Sequence, residues 1–308
     1  MTNDVTNEND FSSLEEKLWD EITKKIALKM PSQFLPLLNE QFHKDYPEGT
    51  SITTLSTESI TLPKQSNRKM GKIMSDIVFL VQNKDIYHVE CEINLDDEMV
   101  IRMIEYDFHT ALTHQLTTGQ NQTPTLHFPQ SIIVYPGNKK SIPDQQTCVI
   151  RFADGYEHPY QVPIIKVQDF SLDEIDENQL TLFLPFTLLR FQPRIQSATN
   201  PLGKKELTDF IRHLIVILEK QVNQGRLTVP QYKDYVTLIR YSAEHIFQKA
   251  PQQQQEEVNS MLESVLVLPS DEIDAIIAEK DEIIAEKDAE IQRLLEELNQ
   301  FKKQSAQQ

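Results

Sequence analysis

The sequence predicts an α/β fold: a small mixed sheet flanked by helices, followed by a helical region and a coiled-coil-like C-terminal helix. Three observations predict it. Amphipathic and alternating patterns succeed one another in the order helix, strand, strand, helix, strand. After Phe170 the pattern becomes almost wholly helical, and Ile277, Ile284, Ile291 and Leu298 then recur every seven residues.

The elements follow in order. Ser12 to Lys29 reads as a helix, with Ser12 or Ser13 as cap, Glu15 and Glu16 in its first turn, and Leu14, Leu18, Ile22 and Ile26 four residues apart. Pro31 ends it. Phe34 to His43 reads as a shorter helix carrying Glu40, and Tyr46-Pro47-Glu48-Gly49 as a turn. Ile60 to Leu62 is a strand candidate, and Lys64 to Lys72 is polar and irregular. Met74 to Val81 and Ile86 to Ile93 form a hairpin across Gln82-Asn83-Lys84-Asp85. Asn94 or Asp96 caps the next helix, whose stripe of Val100, Met103, Ile104, Phe108, Ala111 and Leu112 is expected to cover the sheet. Arg102, Tyr106 and His109 lie on another of its faces. Ser131 to Tyr135, Cys148 to Phe152 and Tyr160 to Val167 read as strands.

Ser171 with Glu174 is a capping box, and Leu180 to Phe191 a buried helix kinked at Pro185. Glu206 to Asn223 is a helix stopped by Gly225, Pro230 opens another to about Lys249, and Gln252 to Gln255 reads as a polar linker. In the tail the second seam position holds Ile273, Lys280, Lys287, Leu294 and Phe301, so two charges interrupt it. A short self-association helix is the preferred reading, with a solvated charged helix as the alternative. The expected divisions are residues 1–10 as a disordered acidic N-terminus, 11–197 as the main domain, 198–265 as a helical extension and 266–308 as the charged helix.

Composition excludes several classes. A chain of 308 residues, 39% hydrophobic and 25% charged, buries a substantial core and is too polar for a membrane protein. Met1 to Asp10 lacks the basic start and apolar run of a secretory signal, and no stretch reaches the roughly 20 apolar residues of a membrane span. The expected location is cytoplasmic. Cys91 and Cys148 are the only cysteines, which supports neither a disulfide framework nor a cysteine-rich zinc site. The net charge of -17 opposes a wholly basic nucleic-acid surface, although part of the excess lies in the first 20 residues and the tail.

The chemistry concentrates in one strand and its approach. Glu90 and Glu92 alternate with Val89, Cys91 and Ile93, so the two carboxylates share a face. Charged residues at this spacing on a half-exposed strand most often face water. If Asp76 on the preceding strand joins them, three oxygen ligands converge within reach of a hard cation such as Mg²⁺. No phosphate loop, dinucleotide fingerprint, serine-hydrolase elbow or zincin motif occurs. His88 shares the carboxylates' face and is read as a structural histidine outside the metal's ligands.

Ser75-Asp76-Ile77-Val78-Phe79, Tyr87-His88-Val89-Glu90-Cys91-Glu92 and Arg102-Met103-Ile104-Glu105-Tyr106-Asp107 resemble the Rpn family of recombination-promoting nucleases, also described as putative transposases of the PD-(D/E)XK nuclease superfamily. Leu38 to Phe42, Phe128 to Ser131, Val162 to Gln168 and Leu182 to Phe186 are similar to the same family, so the resemblance spans roughly Phe34 to Phe191. It implies a restriction-endonuclease-like domain and cleavage of DNA with Mg²⁺, or Mn²⁺ in its place. It further implies Asp76 and Glu90 as metal ligands and Glu40 as a helix-borne acid completing the site. One position departs from the pattern: Glu92 stands where the superfamily has Lys and this family often Gln. Glu92 is then an accessory ligand or a water-orienting base, and Arg102 or Lys72 can replace the missing positive charge in space. The rival expectation is an inactive nuclease-fold scaffold that self-associates through its C-terminal helix.

Overall fold

The computed structural model describes residues 7–55, 77–114, 116–117, 123–195, 197, 199, 202–248, 250–265, 287 and 293. The chain opens with helix α1 (Asn7–Lys29), which starts before the predicted caps and buries Trp19, Ile22 and Ile26. Pro31 stops it, as its missing N–H requires, and a 3₁₀ turn, Pro31–Phe34, leads into α2 (Leu35–Phe42). Strand β1 (Ile52–Leu55) follows, a segment that the sequence reading left unassigned. The Ile60 to Leu62 strand candidate lies outside the described residues.

β2 (Ile77–Val81) and β3 (Asp85–Cys91) form the predicted hairpin. Gln82 and Asn83 both adopt positive φ, 53° and 55°, and Lys84 N–H donates to Val81 C=O at 3.0 Å. This is a type I′ turn, whose twist matches the flanking strands. Helix α3 (Met99–His114) then crosses over; beyond a two-residue ribbon of β4 (Leu116–Thr117) and β5 (Thr125–Leu126), β6 (Gln130–Tyr135) returns parallel to β3. β7 (Gln145–Arg151) and β8 (Glu157–Lys166) form a second hairpin, and the six-stranded mixed sheet runs β1-β2-β3-β6-β8-β7.

The two faces of the sheet have different covers. Ile77, Phe79, Val81, Tyr87, Val89 and Cys91 join one large cluster with α1 and α2, while Ile133, Tyr135, Val162 and Ile164 form a smaller one with Met99, Val100 and Met103 of α3. α3 is rotated from the predicted stripe: Asp107, Thr110 and Ala111 are buried with Met103, while Phe108 and Leu112 are more than two-fifths exposed.

The large cluster continues past the expected boundary at residue 198. After the Ser171–Glu174 capping box of α4 (Leu172–Glu177), the run Thr181–Arg194 is a succession of 3₁₀ turns rather than a kinked α-helix, with Pro185 and Pro193 inside it. Two residues without N–H cannot sustain an α-helical ladder, yet Leu182, Phe183, Leu184, Phe186, Leu188 and Leu189 are all buried. α5 (Lys204–Asn223) and α6 (Val229–Phe247, with a Thr228–Gln231 capping box) pack on it, and α7 (Gln252–Val265) packs on α5 and α6. The glutamine run expected to be a linker is therefore the start of α7, whose Val258, Met261 and Leu262 are buried. The heptad positions Ile277, Ile284, Ile291 and Leu298 lie outside the described residues. Among the described residues no helix is long and apolar enough to cross a membrane.

Trp19 joins the parts. Its ring is 5.7 Å from Phe186 and 6.2 Å, edge-on, from His245, so it contacts the 3₁₀ run and α6 from α1. Trp19→Ala is expected to destabilise the fold by about 3–5 kcal/mol, with one cooperative shift of the urea midpoint seen both by far-ultraviolet circular dichroism and by aromatic signals.

Candidate active site

β3 lies inside the sheet, antiparallel to β2 and parallel to β6, so both its faces are covered. Tyr87, Val89 and Cys91 take the large apolar cluster, leaving His88 and Glu90 on the α3 side. A fully buried imidazole and a nearly buried carboxylate on one strand require partners.

Asp107 of α3 supplies the first. Its Oδ1 is 2.6 Å from His88 Nδ1, and Glu90 Oε2 is 3.2 Å from His88 Nε2. Asp107 is itself fully buried, and its Oδ2 accepts from Ser131 Oγ of β6 at 2.5 Å and from the Tyr160 hydroxyl of β8. One carboxylate thus ties α3 to three strands. Burial alone lowers the pKa of His88; hydrogen bonds to Asp107 and Glu90, and their negative charge, overcome it and raise the pKa from 6.5 to about 10. His88 is therefore an imidazolium at neutral pH, and both ring nitrogens donate. Burial, then the charge of Asp107, push the Tyr160 phenol up, so it stays protonated and donates. The Tyr106 ring closes the side of the imidazole edge-on at 5.9 Å.

Glu92 lies just past the end of β3. Its N–H donates to Val134 C=O at 3.0 Å, its Oε1 accepts from Asn94 N–H at 2.9 Å, and its Oε2 is 3.5 Å from Arg102 Nη2. Arg102 also meets Asp96 at 3.3 Å. Burial would lower the guanidinium's pKa, but Asp96 and then Glu92 outweigh it and raise it further.

The predicted site residues thus separate. Glu92 and Arg102 are brought together, and Glu90 is brought to His88 and Asp107. Glu40 is not seen in contact with them among the described residues: α2 meets the opposite face of β3, through half-buried Phe42 against Tyr87 at 5.2 Å. Glu40 instead lines a cleft of about 700 Å³ with Gln33, Asn39, Lys44, Gln221 and Arg226. Asp76 and Lys72 lie outside the described residues. Asp76 immediately precedes Ile77, which pairs with Val89, the neighbour of Glu90. Among the described residues no three His, Cys, Asp or Glu side chains converge as a metal-binding group. The oxygen donors of Glu90 and Glu92 are nevertheless of the kind that Mg²⁺ takes.

From the sequence His88 reads as structural, and Asp107, Ser131 and Tyr160 do not stand out as site residues. A signal existed for Asp107: it falls in helical phase with Met103, Thr110 and Ala111, where a charge is out of place unless paired. Comparisons with protein-family models, with curated proteins and with solved structures find no match.

The raised pKa fixes the sign of a pH dependence. The folded state binds the His88 proton more tightly than the unfolded chain, so this stabilisation is complete below pH 6.5 and lost as pH rises through about 10. In chelator-containing buffer the urea midpoint is expected to fall across that window, and His88→Gln to flatten the fall. Asp107→Ala leaves the imidazolium short of a buried partner and is expected to cost about 3–5 kcal/mol in the same assay.

Proposed function

We propose that this chain is a metal-dependent DNA endonuclease of the recombination-promoting nuclease type, hydrolysing phosphodiester bonds with carboxylate-held Mg²⁺. The observation that carries the reading is the Arg102–Glu92 contact of 3.5 Å. It puts a guanidinium, shared with Asp96 at 3.3 Å, beside the acid that stands where the resembled family has Lys or Gln. The α/β architecture, a mixed sheet with helices on both faces, is compatible with it.

Asp76 and Glu90 are the residues that would hold the metal, with Glu92 as accessory ligand or water-orienting base. When bound, Mg²⁺ neutralises charge on the phosphate and lowers the pKa of an attacking water. The chain's own groups do the positioning. His88 holds one oxygen of Glu90 and limits the rotamers of that carboxylate. Asp107, bonded to Ser131 and Tyr160, prevents the imidazole from turning. Arg102, about one-third exposed, places a guanidinium at the end of β3 where a phosphate oxygen can meet it.

A second reading is a non-catalytic interaction protein that keeps this fold. It is favoured by one observation: the Oε2 atoms of Glu90 and Glu92 already face His88 and Arg102, so each acid has an internal cation.

Plasmid cleavage in Mg²⁺ or Mn²⁺ separates the two. The nuclease reading expects metal-dependent nicking that falls by at least about 10²-fold in Asp76→Ala and in Glu90→Ala, with saturable Mn²⁺ binding in calorimetry that Asp76→Asn abolishes. Cleavage that survives both alanine substitutions counts against the site. Wild-type protein that neither binds Mn²⁺ nor cuts supports the interaction reading.

A further inference from the structure

The two hairpin strands at the end of the sheet treat their edges differently. β7 is the terminal strand, bonded to β8 on one side and to no other strand among the described residues. Ile164 N–H donates to Asp144 C=O and Phe152 N–H to Tyr156 C=O, both at 2.8 Å, at the two ends of this ladder. With Cys148 opposite Tyr160, the hydrogen-bonded pairs fall at Gln146, Cys148 and Ile150. The N–H and C=O groups of Gln145, Thr147, Val149 and Arg151 therefore point out of the sheet.

β8 carries Pro159 and Pro163 opposite Val149 and Gln145, so their missing N–H groups fall on the edge away from β7. β7 has no proline, no lysine and no bulge, which are the usual guards of an edge strand. Its one charge is Arg151, already paired with Glu157 at 2.5 Å, and Val149 is exposed.

We infer that β7 is a self-association edge, on which a second copy of this chain pairs antiparallel about a two-fold axis at Cys148. An extended strand is what a row of outward backbone donors and acceptors binds, and the sequence of β7 is complementary to itself. In this register Thr147 and Val149 exchange hydrogen bonds, as do Gln145 and Arg151, and Gln146 lies beside Ile150. No like charges meet, which matters for two chains that each carry -17. Centring on Cys148 uses the whole strand, because it is the middle residue of Gln145–Arg151. The two Cys148 residues face each other as a non-hydrogen-bonded pair, whose Cα separation of about 4.5 Å lies within the range a disulfide spans.

The test uses the full chain. Sedimentation velocity is expected to show a dimer, and copper-phenanthroline oxidation to give a covalent dimer on non-reducing gels that Cys148→Ser abolishes while Cys91 remains. Val149→Pro removes an outward N–H without touching the β7–β8 ladder. It is expected to raise the dimer dissociation constant by about tenfold or more and to suppress the crosslink at an unchanged circular dichroism spectrum. Should that variant not fold, Val149→Lys places like charges near the axis and is expected to do the same. A monomeric wild-type chain, or a dimer and crosslink indifferent to a folded variant at Val149, would overturn the assignment.

Discussion

The seat of α3 on the sheet depends on the buried contact between Asp107 and His88. Neither group is tolerable alone in that place, since an ionised side chain removed from water costs several kcal/mol unless it is paired and hydrogen-bonded. The contact is satisfied at every visible corner: the imidazolium gives its second N–H to Glu90, and the carboxylate takes the hydroxyls of Ser131 and Tyr160. The geometry of three strands and one helix is thereby coupled. Glu90 is held at the end of a chain of contacts that begins in the core, and the burial of Ser131 and Tyr160 has a reason other than packing.

The same contact explains why the sheet has two unlike sides. On the far face, apolar side chains of β2 and β3 join α1, α2 and the 3₁₀ run in the large cluster. On the near face the apolar patch under α3 is small, and the polar network occupies part of what would otherwise be core. The buried, paired groups His88, Glu90 and Asp107 lie on this near face. Glu40 is carried by α2, whose Phe42 meets Tyr87 on the far face.

Much of this was legible in the residues. An apolar run and an alternating one on either side of the polar turn Gln82 to Asp85 mark the β2–β3 hairpin, alternation marks the face that carries Glu90, and Ser171 with Glu174 announces α4, because these signals are local. Misreadings came where a tertiary demand overrode a local pattern. The apolar stripe of α3 through Phe108 and Leu112 was outweighed by Asp107, whose pairing turns the helix toward His88. α7 was hidden by its glutamines, which are good helix formers but polar, so that Val258, Met261 and Leu262 were the better guide. The run from Thr181 is apolar throughout, and periodicity cannot distinguish α-helix from 3₁₀ turns when every position is buried. β1 is four residues long and at an edge, too short for alternation to register. Spacing alone puts Glu90 and Glu92 on one face and helical phase marks Asp107, whereas the groups that Asp107 meets on β3, β6 and β8 come together only in the fold.

The proposed nuclease needs Glu90, held by His88, as a metal ligand. Anomalous diffraction from Mn²⁺-soaked crystals tests this most directly. A peak within coordination distance of Glu90 and Asp76, with the His88–Asp107 contact intact, is expected. Mn²⁺ bound elsewhere, or no peak beside a Glu90 still bonded to His88, would contradict it.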